Sequence, residues 1–192
     1  ISNNLANVST NGFKRANAVF EDLMYQNLRQ VGSNSSEQSQ LPTGLQLGLG
    51  VRTVATSRSF AQGNLQQSGN KLDVAIQGNG FFQVTMPDGT TNYTRDGAFQ
   101  VDSQGRLVTA TGLPIANGVT VPANATSIAI GADGTVTAQV PGNAAPQSIG
   151  TIALASFINP PGLEPKGGNL YAESTASGQP SSGTPGANGL GS

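Results

Sequence analysis

The stretch "KLDVAIQGNGFFQVTMPDG" (71–89) decides the fold class of this chain. Apolar and polar residues alternate at its start, and this period of two is typical of a half-buried strand. After a Gly-Asn-Gly turn at 78–80, the alternation returns and places Phe82, Val84 and Met86 on one face. Pro-Asp-Gly then predicts a tight turn, because Pro presets φ and Gly accepts a positive φ. The apolar residues of the first run are Leu72, Val74 and Ile76.

The same pattern of short apolar runs and turns continues beyond this stretch. About eight to ten short strands are expected, separated by Asp-Gly, Asn-Gly and Pro-Gly pairs. We therefore predict a mainly β chain, in which a compact antiparallel sandwich or barrel-like domain spans 71–160. The further strands are expected around Tyr93, Phe99–Val101, Leu107–Val108, Val119–Val121, Ile128–Ile130, Val136–Val140 and Ile149–Ile158.

The region 14–70 is predicted to be a connecting arm. Residues 16–31 fit a helix and a twisted strand pair equally well, and the sequence leaves that choice open. A long insertion at about 24–50 is expected to be an exposed, extended β-rich arm or a flexible loop, and 51–60 are strand-like. Leucines on such an arm need a partner surface. Those of the insertion's second half are Leu41, Leu45, Leu47 and Leu49.

The first residues of the chain carry a helical signal. Ile1, Leu5 and Val8 repeat at the spacing of one helix face. Asn11-Gly12 suits a left-handed cap, so 1–13 is predicted to be the end of a helix with its cap. A stripe this short cannot stand alone in water, since isolated helices below roughly 12–15 residues are marginal.

The last part of the chain is rich in Gly, Ser and Pro. Residues 161–192 are expected to form a return segment, partly mobile, with few anchoring side chains. The residues expected to anchor it are Leu163, Leu170 and Tyr171.

Composition excludes several classes of partner. Charged residues make up 10% of the chain, the net charge is −1, and no basic stripe exists. Nucleic acid is therefore not an expected partner. The longest apolar run, at 151–158, is far shorter than the roughly 20 residues that span a bilayer. No membrane insertion is expected.

Candidate catalytic and metal-binding groups are sparse. The chain has no His and no Cys. Asp88, Asp96 and Asp133 each precede a Gly, and Asp102 begins Asp-Ser-Gln-Gly, so all four are expected to bond their own turn backbone. We predict no enzyme activity, no metal and no cofactor.

Two blocks of sequence resemble a known family. "SNNLANVSTNGFK" (2–14) is similar to the N-terminal signature of the bacterial flagellar rod and hook axial proteins. "DVAIQGNGFFQV" (73–84) and "YTRDGAFQVDSQGRLV" (93–108) resemble the family's next shared block, in the same order. The long insertion before "GVRTVAT" is most similar to that of the distal-rod members. The resemblance covers essentially the whole chain.

The resemblance implies a structural subunit of the flagellar distal rod, a helical tubular drive shaft that transmits torque from the motor to the hook. It implies self-assembly, contacts with the proximal rod, the hook and the surrounding rings, a place in the basal body across the periplasm, and export through the flagellar type III apparatus without a cleaved signal peptide. It also implies helical segments at both ends of the chain. This sequence lacks most of the first and all of the second, so we expect a core that is monomeric in solution.

The predicted subunit contacts lie in the N-terminal stripe and the arm. They are Ile1, Asn3, Asn4, Leu5, Asn7, Val8, Leu41, Leu45, Leu47 and Leu49. For the asparagines, ordinary helix termination is the alternative to bonding a neighbouring backbone. The alternatives for the whole chain are a hook or proximal-rod paralogue, a non-catalytic adhesin or carbohydrate-binding β-module, and a cell-wall glycan hydrolase.

Overall fold

The computed structural model describes residues 2–29, 34–36, 39–40, 45–143, 145–187 and 189–192. The chain divides into two compact units. The first, here called the β unit, comprises Ile1–Lys14 and Phe60–Ser192, and the second, the ribbon unit, comprises Arg15–Ser59.

The ribbon unit is a set of nested antiparallel strand pairs. Its strands are β1 (Ala16–Asp22), β2 (Tyr25–Arg29), β3 (Asn34–Ser36), β4 (Ser39–Gln40), β5 (Leu45–Gly48) and β6 (Val51–Arg58). Strand β1 pairs with β6, β2 with β5, and β3 with β4, so each pair encloses the next. The described residues of 16–31 form strands β1 and β2, so the open choice is decided there in favour of strands, and the strand predicted at 51–60 is β6, which ends at Arg58.

In the described part of the β unit, one short helix, α1 (Ser2–Ala6), is followed by eleven strands and a 3₁₀ turn at Pro160–Gly162. The strands are β7 (Phe81–Thr85), β8 (Thr91–Thr94), β9 (Phe99–Val101), β10 (Leu107–Thr109), β11 (Ser127–Ile130), β12 (Thr135–Gln139), β13 (Gln147–Thr151), β14 (Leu154–Ser156), β15 (Glu164–Gly167), β16 (Leu170–Ala172) and β17 (Ser181–Gly183). The main sheet has the order β15-β16-β8-β7-β14-β17, and the smaller sheets are β11-β12-β13 and β9-β10. All described pairings are antiparallel, so the predicted mainly β, antiparallel fold class is confirmed.

Strand β7 separates two hydrophobic cores, because its successive side chains point to opposite faces. Phe82 packs in a cluster with Phe99, Val136 and Leu154, which come from the main sheet and from both smaller sheets. Phe81 packs on the other face with edge-on aromatic rings, among them Phe157 at 5.8 Å between ring centroids. The prediction that Phe81, Phe82, Tyr93 and Phe99 belong to the core is confirmed, since each is at most 3% exposed.

Two predicted strands are wrong in their hydrogen bonding. Residues 71–77 form only one isolated bridge, Asp73 with Ala98, and Val119–Val121 contributes only the bridge of Thr120 to Arg106. The alternation at 71–77 reports burial on one side, since Ile76 is buried and its apolar neighbours are partly buried. Burial on one side does not require a ladder of backbone bonds.

The two terminal segments differ from their predictions in detail. Helix α1 ends at Ala6, earlier than predicted, and turns carry the chain on to Gly12. Gly12 has φ +70°, as expected for a left-handed cap. Sequence reasoning missed Leu190, which is 6% exposed and packs in the Phe82 cluster.

Candidate subunit-contact surfaces

The N-terminal stripe is exposed in this chain. Leu5 is 72% and Val8 is 77% exposed, and α1 has no buried residue. Ile1 lies outside the described residues. Apolar side chains on one helix face without a covering surface are a feature of helices that pack against another element.

The asparagines of this segment bond locally. The side-chain amide of Asn7 donates to the Asn3 carbonyl at 2.9 Å, and the backbone N–H of Asn7 donates to the same oxygen at 3.2 Å. The Thr10 hydroxyl donates to Asn7 Oδ1 at 3.2 Å. Asn4 is half-buried. The Asn7 side chain thus binds a carbonyl of the last helical turn, and a change of its partner on assembly would have to break this bond.

One face of the ribbon carries the large apolar side chains Phe20 and Val51 beside the charged Asp22 and Arg58, and the other face carries a charge pair. By the register of β1 with β6, Phe20 lies opposite Thr53, and Val51 lies opposite Asp22, which is two residues beyond Phe20. Phe20 and Val51 therefore share a face, here called the Phe20 face. Both side chains are 60% exposed.

The opposite face of the ribbon is the more polar. Glu21 lies directly opposite Arg52, and their side chains form a salt bridge of 3.0 Å. Val19 also lies on this face. A two-stranded ribbon is only marginally stable by itself in water. The exposed apolar side chains of the Phe20 face are therefore candidates for burial against another protein surface.

The predicted leucines of the arm fall at the far part of the ribbon. Leu45 and Leu47 lie in β5, and Leu49, just before β6, is 57% exposed. Leu41 lies outside the described residues.

Sequence reasoning missed several exposed apolar residues of the ribbon. Met24 is 84% exposed, and Val54, the extra residue at a bulge in β6, is 55% exposed. The signal that could have found Val54 is the alternation in "VRTVATSR", which is a strand pattern. Met24 follows "ANAVFED" and lies outside both alternating stretches.

The carboxylates of the β unit are used in turns. Asp88 Oδ1 accepts the backbone N–H of Thr90 at 2.9 Å, Asp133 Oδ1 accepts that of Thr135 at 3.0 Å, and Asp102 and Asp96 do the same two residues on. The predicted turn role of these four residues is confirmed. Within the described ranges, no cluster of three or more potential metal-ligating side chains occurs. No helix in the described part of the chain has the length and apolar character needed to span a bilayer.

Hydrogen bonds in these turns lower carboxyl pKa values. The bonds from the side chain and backbone of Thr90 lower the pKa of Asp88 below its usual 3.8, and those from the backbone and side chain of Thr135 do the same for Asp133. In both cases the ionised form is the better acceptor.

Acid is therefore expected to destabilise the β unit. As pH falls through about 3.8, these carboxyls bind protons in the unfolded chain first, so the stabilisation present above that pH is lost as pH falls through the lower folded-state pKa values. We expect the urea midpoint to be nearly constant from about pH 7 to pH 5, since the chain has no His, and to fall below about pH 4. The double variant Asp88→Asn/Asp133→Asn keeps the turn acceptors and should show a shallower fall. A midpoint that stays constant down to about pH 2.5 would contradict this expectation.

The amino-acid sequence was compared with protein-family models and with known proteins. The family model of the flagellar hook protein FlgE/F/G D1 domain matches residues 75–138, which contain strands β7 to β11 and most of β12. The flagellar basal-body rod protein FlgG of Buchnera aphidicola is 56% identical over 191 residues, covering 100% of this chain and 74% of the relative. FlgG of Caulobacter vibrioides is 44% identical and again covers 100% of this chain.

A hook protein also matches, over a shorter stretch. The flagellar hook protein FlgE of Helicobacter pylori is 44% identical over 115 residues, which is 59% of this chain and 16% of the hook protein. The chain belongs to the flagellar hook and basal-body rod protein family, and its whole-length relatives within that family are FlgG rod proteins.

Proposed function

We propose that this chain is a structural subunit of the flagellar basal-body rod, at its distal part, and that it acts by contacts with copies of itself. The observation that carries the proposal is the similarity over the whole chain to FlgG rod proteins. A repeating head-to-tail contact requires exposed surface that a neighbouring copy can cover. The N-terminal stripe and the Phe20 face carry exposed apolar side chains of this kind.

The proposal extends to how the surfaces work. Leu5 and Val8 pack against neighbouring helical segments, while Phe20, Val51 and Leu49 lie against the surface of a neighbouring subunit. Each Leu or Phe that becomes fully buried stabilises the contact by roughly 1.5–3 kcal/mol, before ordering costs. Many such contacts along the rod stiffen it, so that torque passes from the motor to the hook.

The proposal also covers the segments of the chain, its neighbours in the basal body and its route of export. The four predicted segments, 1–13, 14–70, 71–160 and 161–192, are a helix end, an arm, a compact domain and a return segment. The proximal rod, the hook and the surrounding ring proteins are its proposed neighbours. The chain is proposed to be exported by the flagellar type III apparatus and to have no enzyme activity.

A hook paralogue is the second candidate, and the match to a hook protein favours it. The extent of the two matches favours the rod. The hook protein covers 59% of this chain, whereas the rod proteins of Buchnera aphidicola and Caulobacter vibrioides cover all of it, including the ribbon unit.

Deletion of the gene for this chain in its source bacterium tests the proposal. We expect cells without external filaments, whose purified basal bodies have an incomplete rod and no hook, and restoration by a plasmid copy of the gene. Basal bodies with a complete rod and no hook would instead support the hook paralogue. Complete rods, hooks and filaments in the deletion strain would contradict both. Clearing of cell-wall material by the purified chain in a gel assay would contradict the absence of enzyme activity.

A further inference from the structure

Arg95 lies at a point where four segments of the β unit meet. Its guanidinium donates from Nη1 to the Gly80 carbonyl at 2.9 Å, and from Nη2 to the Gly78 carbonyl at 2.8 Å and the Ile76 carbonyl at 3.3 Å. Nη2 also donates to Gln62 Oε1 at 2.7 Å. The acceptors are three backbone carbonyls and one side-chain amide oxygen rather than a carboxylate.

The three carbonyls are every second one of segment 76–80, which bends at Gly78 and Asn79. Gly78 and Gly80 have positive φ, at +112° and +137°. The carbonyls of residues 76, 78 and 80 face Arg95, and those between them face the last residues of the chain. Asn79 O accepts Gly191 N–H at 2.6 Å, and Gln77 O accepts Ser192 N–H at 3.2 Å. Gln77 N–H in turn donates to Ser192 O at 2.8 Å.

The guanidinium therefore binds one side of segment 76–80, and residues 191–192 bind the other. A planar group with five donors in a fixed fork can serve several carbonyls of one segment, which a single ammonium cannot do with the same geometry. Arg95 Cζ lies 5.8 Å from the centroid of the Phe81 ring, so the guanidinium is also held against the aromatic core. Burial lowers the pKa of Arg95.

The backbone around Arg95 holds the first segment of the chain. A Cβ on Gly12 would lie 2.8 Å from Asp96 N and 3.1 Å from Arg95 C, so the two backbones are in close contact. Lys14 Nζ donates to the Ala61 carbonyl at 2.9 Å, next to the Gln62 that Arg95 binds. Residues 11–14, 61–62 and 76–80 thus lie against Arg95 or its backbone, and residues 191–192 bind the opposite side of segment 76–80.

We propose that Arg95 is a positioning residue, here called the clamp, that holds residues 11–14 and, through segment 76–80, residues 190–192 to the rest of the β unit. Force applied to either of these segments reaches the sheets through this clamp, because the segments contact each other by way of Arg95 and its neighbours. The mechanical use of the clamp rests on the proposed rod function. The clamp itself is a property of the isolated chain and can be tested without assembly.

Amide hydrogen exchange of the variant Arg95→Lys tests the clamp. The variant keeps the charge and loses the fork, so we expect exchange at Gln77, Gly191 and Ser192 to become at least about tenfold faster. The amides of β12, remote from Arg95 in hydrogen bonding, should keep their rates relative to wild type. Arg106→Lys is the matched control, because the Arg106 guanidinium forms a salt bridge with the turn carboxylate of Asp102, at 2.8 Å.

Two results would overturn the proposal. Unchanged exchange at Gln77, Gly191 and Ser192 in Arg95→Lys would mean that the guanidinium does not hold the segment. Equal acceleration at these amides and in β12 would mean that Arg95 serves general stability only. Should Arg95→Lys fail to fold, Gln62→Leu removes one acceptor and keeps the guanidinium; acceleration confined to the same amides supports the clamp, and no change contradicts it.

Discussion

The double variant Phe20→Thr/Val51→Thr is expected to abolish swimming while the isolated chain stays folded. Both side chains are 60% exposed and lie on the same face of the ribbon, so their loss removes apolar surface that only a neighbouring subunit can cover. The expected cost is on the order of 3 kcal/mol per subunit contact, a factor of roughly 100 in its equilibrium constant. Thr keeps the β propensity of the strands. Soft-agar motility and electron microscopy of purified basal bodies measure the effect.

Val19→Thr is the matched control for the double variant. Val19 lies on the opposite face of the same strand, next to the Glu21–Arg52 salt bridge, and its loss should leave swimming intact. The isolated double variant should unfold within about 0.5 kcal/mol of wild type, as exposed substitutions usually do. Wild-type swimming by Phe20→Thr/Val51→Thr would remove the Phe20 face from the proposed contacts.

Gly97→Ala is expected to destabilise the β unit by about 3 kcal/mol. The added Cβ would overlap the Val74 carbonyl oxygen and would lie 3.2 Å from Phe82 Cε2. Neither neighbour can move easily, because Val74 N–H donates to Gly97 O at 3.0 Å and Phe82 is 2% exposed. Thermal unfolding followed by circular dichroism should show a midpoint lower by roughly 6–12 °C.

Gly63→Ala provides the control for Gly97→Ala. No atom lies within 4 Å of a Cβ built on Gly63, and its φ is not in the left-handed region. Its unfolding midpoint should stay within about 1–2 °C of wild type or rise slightly, since Ala restricts the unfolded chain. Equal midpoints for Gly97→Ala and Gly63→Ala would contradict the close approach at Gly97.

The sequence predicted turn chemistry well because each turn is decided by a few neighbouring residues. Gly89, Gly105 and Gly134 have positive φ at the predicted turns, and the aspartates before them bond their own backbone. Gly97 was predicted as a turn residue by the same rule, but its role is the close approach to Val74, with no positive φ. A contact between residues more than twenty positions apart leaves no signal in one sequence.

Longer-range pairing explains the other differences. The alternation at 71–77 predicted which side chains are buried, but it did not predict the hydrogen-bond partners of the backbone. The carbonyls of Gly78 and Gly80, which follow directly, accept hydrogen bonds from the Arg95 side chain and not from a strand. Leu190 was missed because a single Leu among Gly, Ser and Pro has no periodic context. The exposed ribbon residues were missed because an alternating pattern predicts a strand but does not say whether anything covers it.

The accessibility of a single cysteine at position 51 tests whether a neighbouring subunit covers the Phe20 face in the assembled rod. The chain has no Cys, so Val51→Cys introduces one thiol whose reaction with a maleimide can be measured both in the isolated chain and in basal bodies purified from swimming cells. We expect fast labelling of the isolated chain, where position 51 is 60% exposed. In basal bodies, where a neighbouring subunit covers this position, we expect labelling to be at least about tenfold slower. Equal labelling rates in the two states would contradict this expectation, because the Phe20 face would then remain open to water in the assembled rod.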